Sequence, residues 1–398
     1  MPEHRAWIEV DLGAIRHNLR RLSKWAAPAR FMAVVKSDGY GHGMEAVARV
    51  AVSEGAWGLA VVNIDEGLRL RTAGFECPIV IVGPVFAHEM SAALQAQLSL
   101  PVYSHECLRE IAQAAARAEI TARVHVKFDT GLGRLALPYD QAHEFLTLVR
   151  DTPGLRIEGL YSHLADAEGL DQRYTLQQFT RFQEVQGVAA ALGIQPEIAH
   201  LSASAASMLL QPARLDAVRL GIAMYGLWPA EETRLLLLSR GHNLFQELNL
   251  HFQSGLTPQL DDLLQPALAY KTRIAQIKKV PPDSSIGYGC TFVTQRPTTL
   301  AILPVGYYEG YDRHLSNCGE VLVRGRRARV LGRVCMNVVT VDVTDIAEVA
   351  VDDEVVLLGR QGSQQVSAEE WARRIGTINY EVVTRLPAHL PRVYSGVV

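Results

Sequence analysis

The sequence predicts an α/β protein: a (β/α)8 barrel of the TIM type followed by a C-terminal all-β, barrel-like domain. Three features carry this expectation. Between Phe31 and Gly221 short apolar runs alternate with longer amphipathic ones, the texture changes after Tyr225-Gly-Leu-Trp-Pro229, and beyond Ala267 only short alternating strands and turns follow. A chain of 398 residues is also long for one core, so two domains are expected.

In chain order, strands are expected over 31–35, 57–62, 79–82, 98–102, 122–128, 155–161, 196–201 and 216–220. Helical stretches such as 44–53, 105–118 and 172–192 lie between them, with apolar residues recurring at three and four. Eight strands each followed by a helix make a closed barrel; an open doubly wound sheet would need a Gly-rich first turn that is not there. The barrel domain is expected over 11–232 and a connector over 233–266, with Leu235–Leu238 and Leu244, Leu248 and Phe252 at near-helical spacing. The β domain is expected over 267–398, with strands at 271–280, 299–304, 320–324, 327–331, 338–343 and 354–358. Residues 1–10 are expected to pair with it, because Ala6–Val10 alternates too.

Composition narrows the function classes. A net charge of −3 gives no electrostatic reason to bind nucleic acid or an anionic membrane. No apolar run is long enough to span a bilayer, and the charged stretch from Met1 to Trp7 lacks a signal core, so export is not expected. Cys77, Cys107, Cys290, Cys318 and Cys335 are odd in number and form no CxxC. That suits a reducing compartment and argues against disulfides and structural zinc. A cytoplasmic enzyme without a metal is expected.

The conspicuous polar residues fall at one rim. Lys36 ends the first strand; Lys127 ends the fifth, with Arg134 in the Gly-rich loop beyond it; His163 ends the sixth. His200 and Ser204 follow the seventh, and Arg219 ends the eighth. This is the C-terminal face, where barrel enzymes build their sites, with phosphate usually bound after strands seven and eight. Here those loops offer the Ser204 hydroxyl and the backbone N–H groups of Gly221 and Ile222. In Ala33-Val-Val-Lys-Ser-Asp-Gly-Tyr-Gly-His-Gly43 a lysine stands directly after a buried strand. Desolvation there lowers its pKa and makes the amine a nucleophile for an aldehyde. His42 and His200 read as structural, Cys335 as a packed thiol, and Tyr307 and Arg333 as either entrance-lining or structural.

As a sequence, the Lys36 motif resembles the cofactor-lysine motif of the alanine racemases, fold-type III pyridoxal-phosphate enzymes. The resemblance runs from Trp7 to Tyr394. His125-Val-Lys-Phe-Asp-Thr-Gly-Leu-Gly-Arg134 and Val218-Arg-Leu-Gly-Ile-Ala-Met-Tyr-Gly226 are similar to two further signatures. Gly287-Tyr-Gly-Cys-Thr291, Leu303-Pro-Val-Gly-Tyr307, Gly332-Arg-Val-Cys-Met336 and Thr377-Ile-Asn-Tyr380 follow in the family's order.

The resemblance implies a homodimer with composite sites that racemises L- and D-alanine, supplying D-alanine for peptidoglycan precursors. Lys36 would hold pyridoxal 5'-phosphate and move a proton on one face of the substrate Cα, and Tyr288 of the second subunit would act on the other. A free tyrosine titrates near ~10, so neighbouring cations would have to lower it, with His163 and Arg219 as the network there. Arg219 would face the pyridine nitrogen and, being always protonated, could only donate to it. Tyr40, Ser204, the Gly221 and Ile222 amides and Tyr380 would hold the phosphate. Arg134 would meet the cofactor's phenolic oxygen and the substrate carboxylate, the Met336 N–H would be a further carboxylate donor, and Lys127 matches a lysine that many relatives carbamylate.

Departures from the family's pattern are Ala203 where Asn is usual, Asn337 where Asp is usual, Gly306-Tyr-Tyr-Glu-Gly310 in place of Gly-Tyr-Ala-Asp-Gly, and the long connector. They bear on substrate preference, and a racemase of broader, serine or lysine specificity is the alternative. A decarboxylase would need an acid in the place of Arg219. A pyridoxal-phosphate carrier would need neither Tyr288 nor Met336.

Overall fold

The computed structural model describes residues 4–239 and 263–396. Its contacts divide the chain into a barrel unit, Ile15–Gly39 with Met44–Gln265, and a sheet unit, Met1–Ala14 with Tyr40–Gly43 and Pro266–Val398.

The barrel strands are β1 (Arg30–Val34), β2 (Gly58–Val61), β3 (Ile79–Ile81), β4 (Leu100–Val102), β5 (Ala122–Asp129), β6 (Leu155–Tyr161), β7 (Ile198–His200) and β8 (Ala217–Leu220). They pair in parallel in the order β3-β2-β1-β8-β7-β6-β5-β4. Ser99 closes the ring: its N–H donates to the Ile79 carbonyl and its carbonyl accepts from the Ile81 N–H, both at 2.9 Å. Strands such as Gly58–Val61 are buried along their whole length, as a parallel sheet covered on both faces requires. Helices follow them, some with side-chain caps: Asn63 accepts from the Glu66 N–H at 2.9 Å, and Ser104 from the Cys107 N–H at 3.1 Å. After β8 comes only a 3-10 turn, Ile222–Tyr225, then a helix over Glu231–Ser239. That helix contains Leu235–Leu238; Leu244, Leu248 and Phe252 lie outside the described residues.

Which side chains face the barrel interior follows from one cluster. Met32, Val80, Ile198 and Ala217 pack together although β3 and β7 are not neighbours, so all four point inward. Side chains two residues on share that face, which directs His200 and Arg219 inward as well. Between β5 and β6 the register shifts at Val124/His125: Val124 pairs with Ile157 but His125 with Gly159, leaving Glu158 as the extra residue of a β-bulge.

In the sheet unit seven strands form one sheet. Six run in the order Arg326–Arg329, Glu320–Val323, Glu354–Gln361, Leu268–Arg273, Ala6–Asp11 and Arg392–Ser395, and Gln364–Val366 pairs with Glu354–Gln361. Gln276–Val280, Thr298–Leu303 and Val339–Asp342 form a second sheet. The single strand expected over 271–280 is two, because the chain changes sheets: the Ile274 N–H donates to Asp353 at 3.0 Å and the Ala275 N–H to Ile302 at 2.9 Å. The unit is sheet-rich and not purely β, since Ala368–Ile375 and Asn379–Thr384 are helical. Ser367 caps the first of these on the Glu370 N–H, and its Trp371 is buried edge-on against Tyr270 and Tyr311.

Candidate active site

Lys36 leaves β1 into a left-handed turn: Ser37, Asp38, Gly39 and Tyr40 have φ of 55°, 52°, 62° and 53°. Left-handed backbone is costly for L-residues, so outside bonds must hold it. The Glu66 carboxylate supplies one, accepting the Ser37 N–H at 2.6 Å while its other oxygen is anchored by the Val62 N–H at 2.9 Å. Asp38 accepts the Met44 N–H at 3.2 Å. The half-buried Lys36 amine is pushed below its ordinary pKa by burial and by the Arg134 charge, against the opposing pull of Glu66.

Arg219, 5% exposed, makes five hydrogen bonds within the barrel unit. Its Nη1 donates to His200 Nδ1 at 2.7 Å and to the His200 carbonyl at 3.1 Å. Its Nη2 donates to His163 Nδ1 at 2.9 Å and to the Ser162 and Leu201 carbonyls at 3.0 and 2.8 Å. Both Nη groups are consumed, and Nε–H is the donor left without a partner among the described residues. Burial lowers the guanidinium to about 10, still protonated at neutral pH. It lies 5.8 Å from the centroid of Tyr161, a fully buried ring that stacks on His200 at 4.8 Å.

His163 takes a different part from the one expected. Burial, then Arg219, Arg134, Lys127 and Lys36, hold it well below the usual imidazole range. It is therefore neutral, accepts from Arg219 through Nδ1, and leaves its Nε2–H to donate. Positive charge at this corner belongs to the guanidinium, not to the imidazole.

Strand ends differ slightly from expectation. β5 runs two residues past Lys127, and β6 stops two before His163. Lys127 is 5% exposed with its Nζ 5.4 Å from the Tyr161 centroid, and burial, reinforced by Arg134 and Arg219, lowers it to about 8. Asp129 builds the loop that carries Arg134, accepting the N–H groups of Gly131, Leu132 and Gly133 at 2.8, 2.7 and 2.9 Å. Lys127, Arg134, Ser162 and His163 line one pocket there. Ser204 and Gly221 meet directly: Ser204 Oγ accepts the Gly221 N–H at 3.0 Å and the Ala223 N–H at 3.4 Å, so both its lone pairs are engaged and its O–H is left to donate.

Ile222 opens the 3-10 turn after β8, and Tyr40, Tyr288, Met336 and Tyr380 belong to the sheet unit. Tyr40 and Tyr380 lie 6.3 Å apart between ring centroids, and burial raises the Tyr40 phenol to about 12, keeping it a donor. Gly41, at φ 81°, allows the approach of the Val383 carbonyl, which a Cβ would meet at 2.3 Å. Tyr288 is 73% exposed on a turn of positive-φ Gly287, Gly289 and Cys290, with the Arg333 guanidinium packed against Gly289. Met336 is 54% exposed. Its loop is locked to Tyr307's: the Tyr307 N–H donates to Cys335 at 3.1 Å and the Tyr308 N–H to Met336 at 3.0 Å. The buried Glu309 carboxylate accepts from Gly306 N–H at 2.9 Å and Asn337 Nδ2 at 2.7 Å.

The family described as alanine racemase, N-terminal domain, matches residues 10–229, and its C-terminal domain counterpart matches 267–394. The chain belongs to the alanine racemase family. It is 42% identical to the alanine racemase of Desulforamulus reducens over 392 residues, 98% of this chain and 99% of that one. Against the alanine racemase of Desulfosudis oleivorans it is 39% identical over 404 residues, 99% and 97% of the two chains. Among solved structures, alanine racemase from Streptomyces coelicolor superposes with a TM-score of 0.87 at 35% identity, covering 99% and 98%. The Bacillus anthracis alanine racemase with bound L-Ala-P gives 0.87 at 34%, covering 100% and 97%. Against the family's usual pattern, Ala203 stands at the N-cap of Ser204–Leu209 without a side-chain cap. The paired departures Glu309 and Asn337 bond to each other. Sequence reasoning missed Glu66, Asp129 and Tyr161 as supports of this family's rim; only Asp129, preceding Thr-Gly-Leu-Gly, carried a local turn signal.

Proposed function

We propose that the protein interconverts L- and D-alanine with pyridoxal 5'-phosphate held on Lys36, and that Tyr288 of a second subunit completes each site. The observation that carries this reading is the saturated Arg219 fork with its single remaining donor. A ligand ring atom at Nε must be an unprotonated acceptor, as a pyridine nitrogen is. The other donors suit the same group: a depressed amine for its aldehyde, and the Ser204 and Tyr40 hydroxyls for its phosphate. When bound, the cofactor supplies a conjugated ring that delocalises the electron pair left at Cα. An arginine at the ring nitrogen keeps that sink weak, which favours return of the proton to Cα over its loss to the cofactor.

Lys36 takes and returns the Cα proton on one face, and its lowered pKa makes the neutral amine available. Tyr288 serves the opposite face, with the charge of Arg219 reaching it through the His163 Nε2–H. The planar Arg134 fork and the Met336 N–H hold the substrate carboxylate. Lys127, near 8, offers the neutral amine that carbon dioxide needs for carbamylation. Exposure of Tyr288 and Met336 fits residues that work in a neighbouring subunit of a twofold dimer. Among the described residues no helix is long and apolar enough to cross a membrane.

The test is optical rotation of L-alanine, L-serine and L-lysine incubated separately with the purified protein. Alanine should lose its rotation fastest; a faster loss with serine or lysine would replace alanine as substrate. Co-expressed Lys36→Ala and Tyr288→Phe chains, isolated as a heterodimer by two tags, should regain activity that neither homodimer has. Inactive heterodimers beside active tagged wild type would refute action in trans.

A further inference from the structure

Four buried polar side chains beyond Arg219 have no part in the chemistry above. His200 and His125 are fully buried, Glu158 is 3% exposed and Ser99 is fully buried. Together they form one chain. Arg219 Nη1 meets His200 Nδ1 at 2.7 Å, His200 Nε2 meets His125 Nδ1 at 2.9 Å, and His125 Nε2 meets Glu158 Oε2 at 3.0 Å. Ser99 Oγ donates to the same carboxylate oxygen, and Arg123 stands 3.8 Å from the other. The chain runs from β8 and β7 near their C-terminal ends to Ser99, which precedes β4.

Only one order of protons satisfies every contact. A guanidinium can only donate, so His200 Nδ1 must be bare and its proton must sit on Nε2. His125 Nδ1 must then accept, placing its proton on Nε2, where an ionised carboxylate can only accept. A donor-only group at one end and an acceptor-only group at the other leave each imidazole with one role per nitrogen. Burial and the facing Arg219 keep His200 well below the usual imidazole range, so no second proton enters. For Glu158, burial alone would raise the carboxyl, but the bonds from His125 and Ser99 outweigh it and leave it ionised.

The backbone is shaped for this chain. Glu158 is the residue that the β5–β6 bulge adds, and bulges re-aim side chains. Beside it Gly159 leaves the room that His125 fills: a Cβ there would lie 2.2 Å from His125 Nδ1.

We propose that Glu158 and His125 are positioning residues for the reaction: they fix the tautomer of His200 and thereby lock the Arg219 guanidinium in the orientation that presents Nε. The proposal rests on Arg219 meeting the cofactor ring, and extends that role to side chains that touch neither cofactor nor substrate.

The test is nitrogen NMR of the holoenzyme labelled with [15N]histidine and [15N]arginine, alongside steady-state racemisation. In the wild type His200 and His125 should both be protonated at Nε2 and bare at Nδ1. Glu158→Met removes the terminal acceptor. It should mix the tautomers of both rings, broaden the Arg219 Nη signals, and lower kcat by up to about a hundredfold with little change in KM, as loss of orientation does. Glu158→Gln keeps an acceptor oxygen and should restore the tautomers and most of kcat. A purely structural role would lower the melting temperature of Glu158→Met and leave nitrogen signals and kcat alone. If Glu158→Met does not fold, Ser99→Ala, which trims one bond from the carboxylate, shows the same changes in smaller measure. Wild-type His200 protonated at Nδ1 overturns the proposal, as does a folded Glu158→Met with unchanged tautomers and kcat. A wild type with the expected tautomers that racemises nothing refutes the functional reading instead, because the nitrogen spectra do not depend on turnover.

Discussion

Gly159→Ala adds one methyl group to the barrel interior, and its cost can be worked from the structure. The new Cβ would lie 2.2 Å from His125 Nδ1, 2.5 Å from Cε1 and 2.8 Å from Cγ. An ordinary contact is about 3.5–4 Å, so the ring must retreat by more than about 1 Å. That retreat carries Nδ1 out of reach of His200, now 2.9 Å away. Overpacking costs about 1–3 kcal/mol, and the lost buried hydrogen bond adds about 1 kcal/mol. Urea unfolding followed by circular dichroism should therefore show Gly159→Ala about 2–4 kcal/mol less stable than wild type. Gly187→Ala is the control. It lies within the helix Arg173–Ala191 with nothing within 4 Å of its Cβ, and should gain about 0.5–1 kcal/mol. A Gly159→Ala protein within about 0.5 kcal/mol of wild type, the noise of a surface substitution, would refute the packing that places His125.

Two further expectations concern charge. The unfolded chain keeps a proton on Lys127 up to 10.5 whereas the folded chain releases it near 8, so Lys127 contributes a stability that rises with pH across that window, by at most about 3 kcal/mol, read as the difference between wild type and Lys127→Met. Denaturation midpoints of the two proteins at several pH values will show that difference. Asn337→Asp places a second carboxyl 2.7 Å from Glu309 Oε1, so the pair should share a proton and titrate upward. The variant should be about 1–3 kcal/mol less stable than wild type above neutrality, with the deficit shrinking on acidification. Its substrate selectivity should change more than its cofactor binding, measured as KM ratios for alanine and serine against cofactor content.

The eight barrel strands were legible because parallel strands covered on both faces read as continuous apolar runs. The rim residues were legible because each stands beside a strand end in a short motif. What escaped reading was long-range or irregular. A bulge that inserts Glu158 leaves no local mark, and nothing in sequence joins His125 to His200, which read as a structural histidine. The break at Ile274 and Ala275 is set by two different sheets claiming successive amides. The helix Ala368–Ile375 did carry a signal, Ser367 followed by Glu370, the spacing of a capping box, but it is short and follows a run of strands that set the reading of the domain. His163 was expected among the cations; burial beside Arg219 makes it neutral, a matter of neighbours that only the fold brings together.

The left-handed turn after Lys36 bears on the handedness of the chain itself. Ser37, with φ and ψ of 55° and 50°, and Asp38, with 52° and 46°, hold the mirror image of ordinary α-helical angles. An L-residue gives up about 1–2 kcal/mol in that conformation, whereas its enantiomer gives up nothing. At these two positions the native residues are thus the disfavoured hand, and D-serine or D-aspartate placed there by chemical ligation would be the unstrained choice. The segment that delivers the lysine is built against the stereochemical preference of its own monomers, and the Glu66 carboxylate bonded to Ser37 and Val62 holds it there.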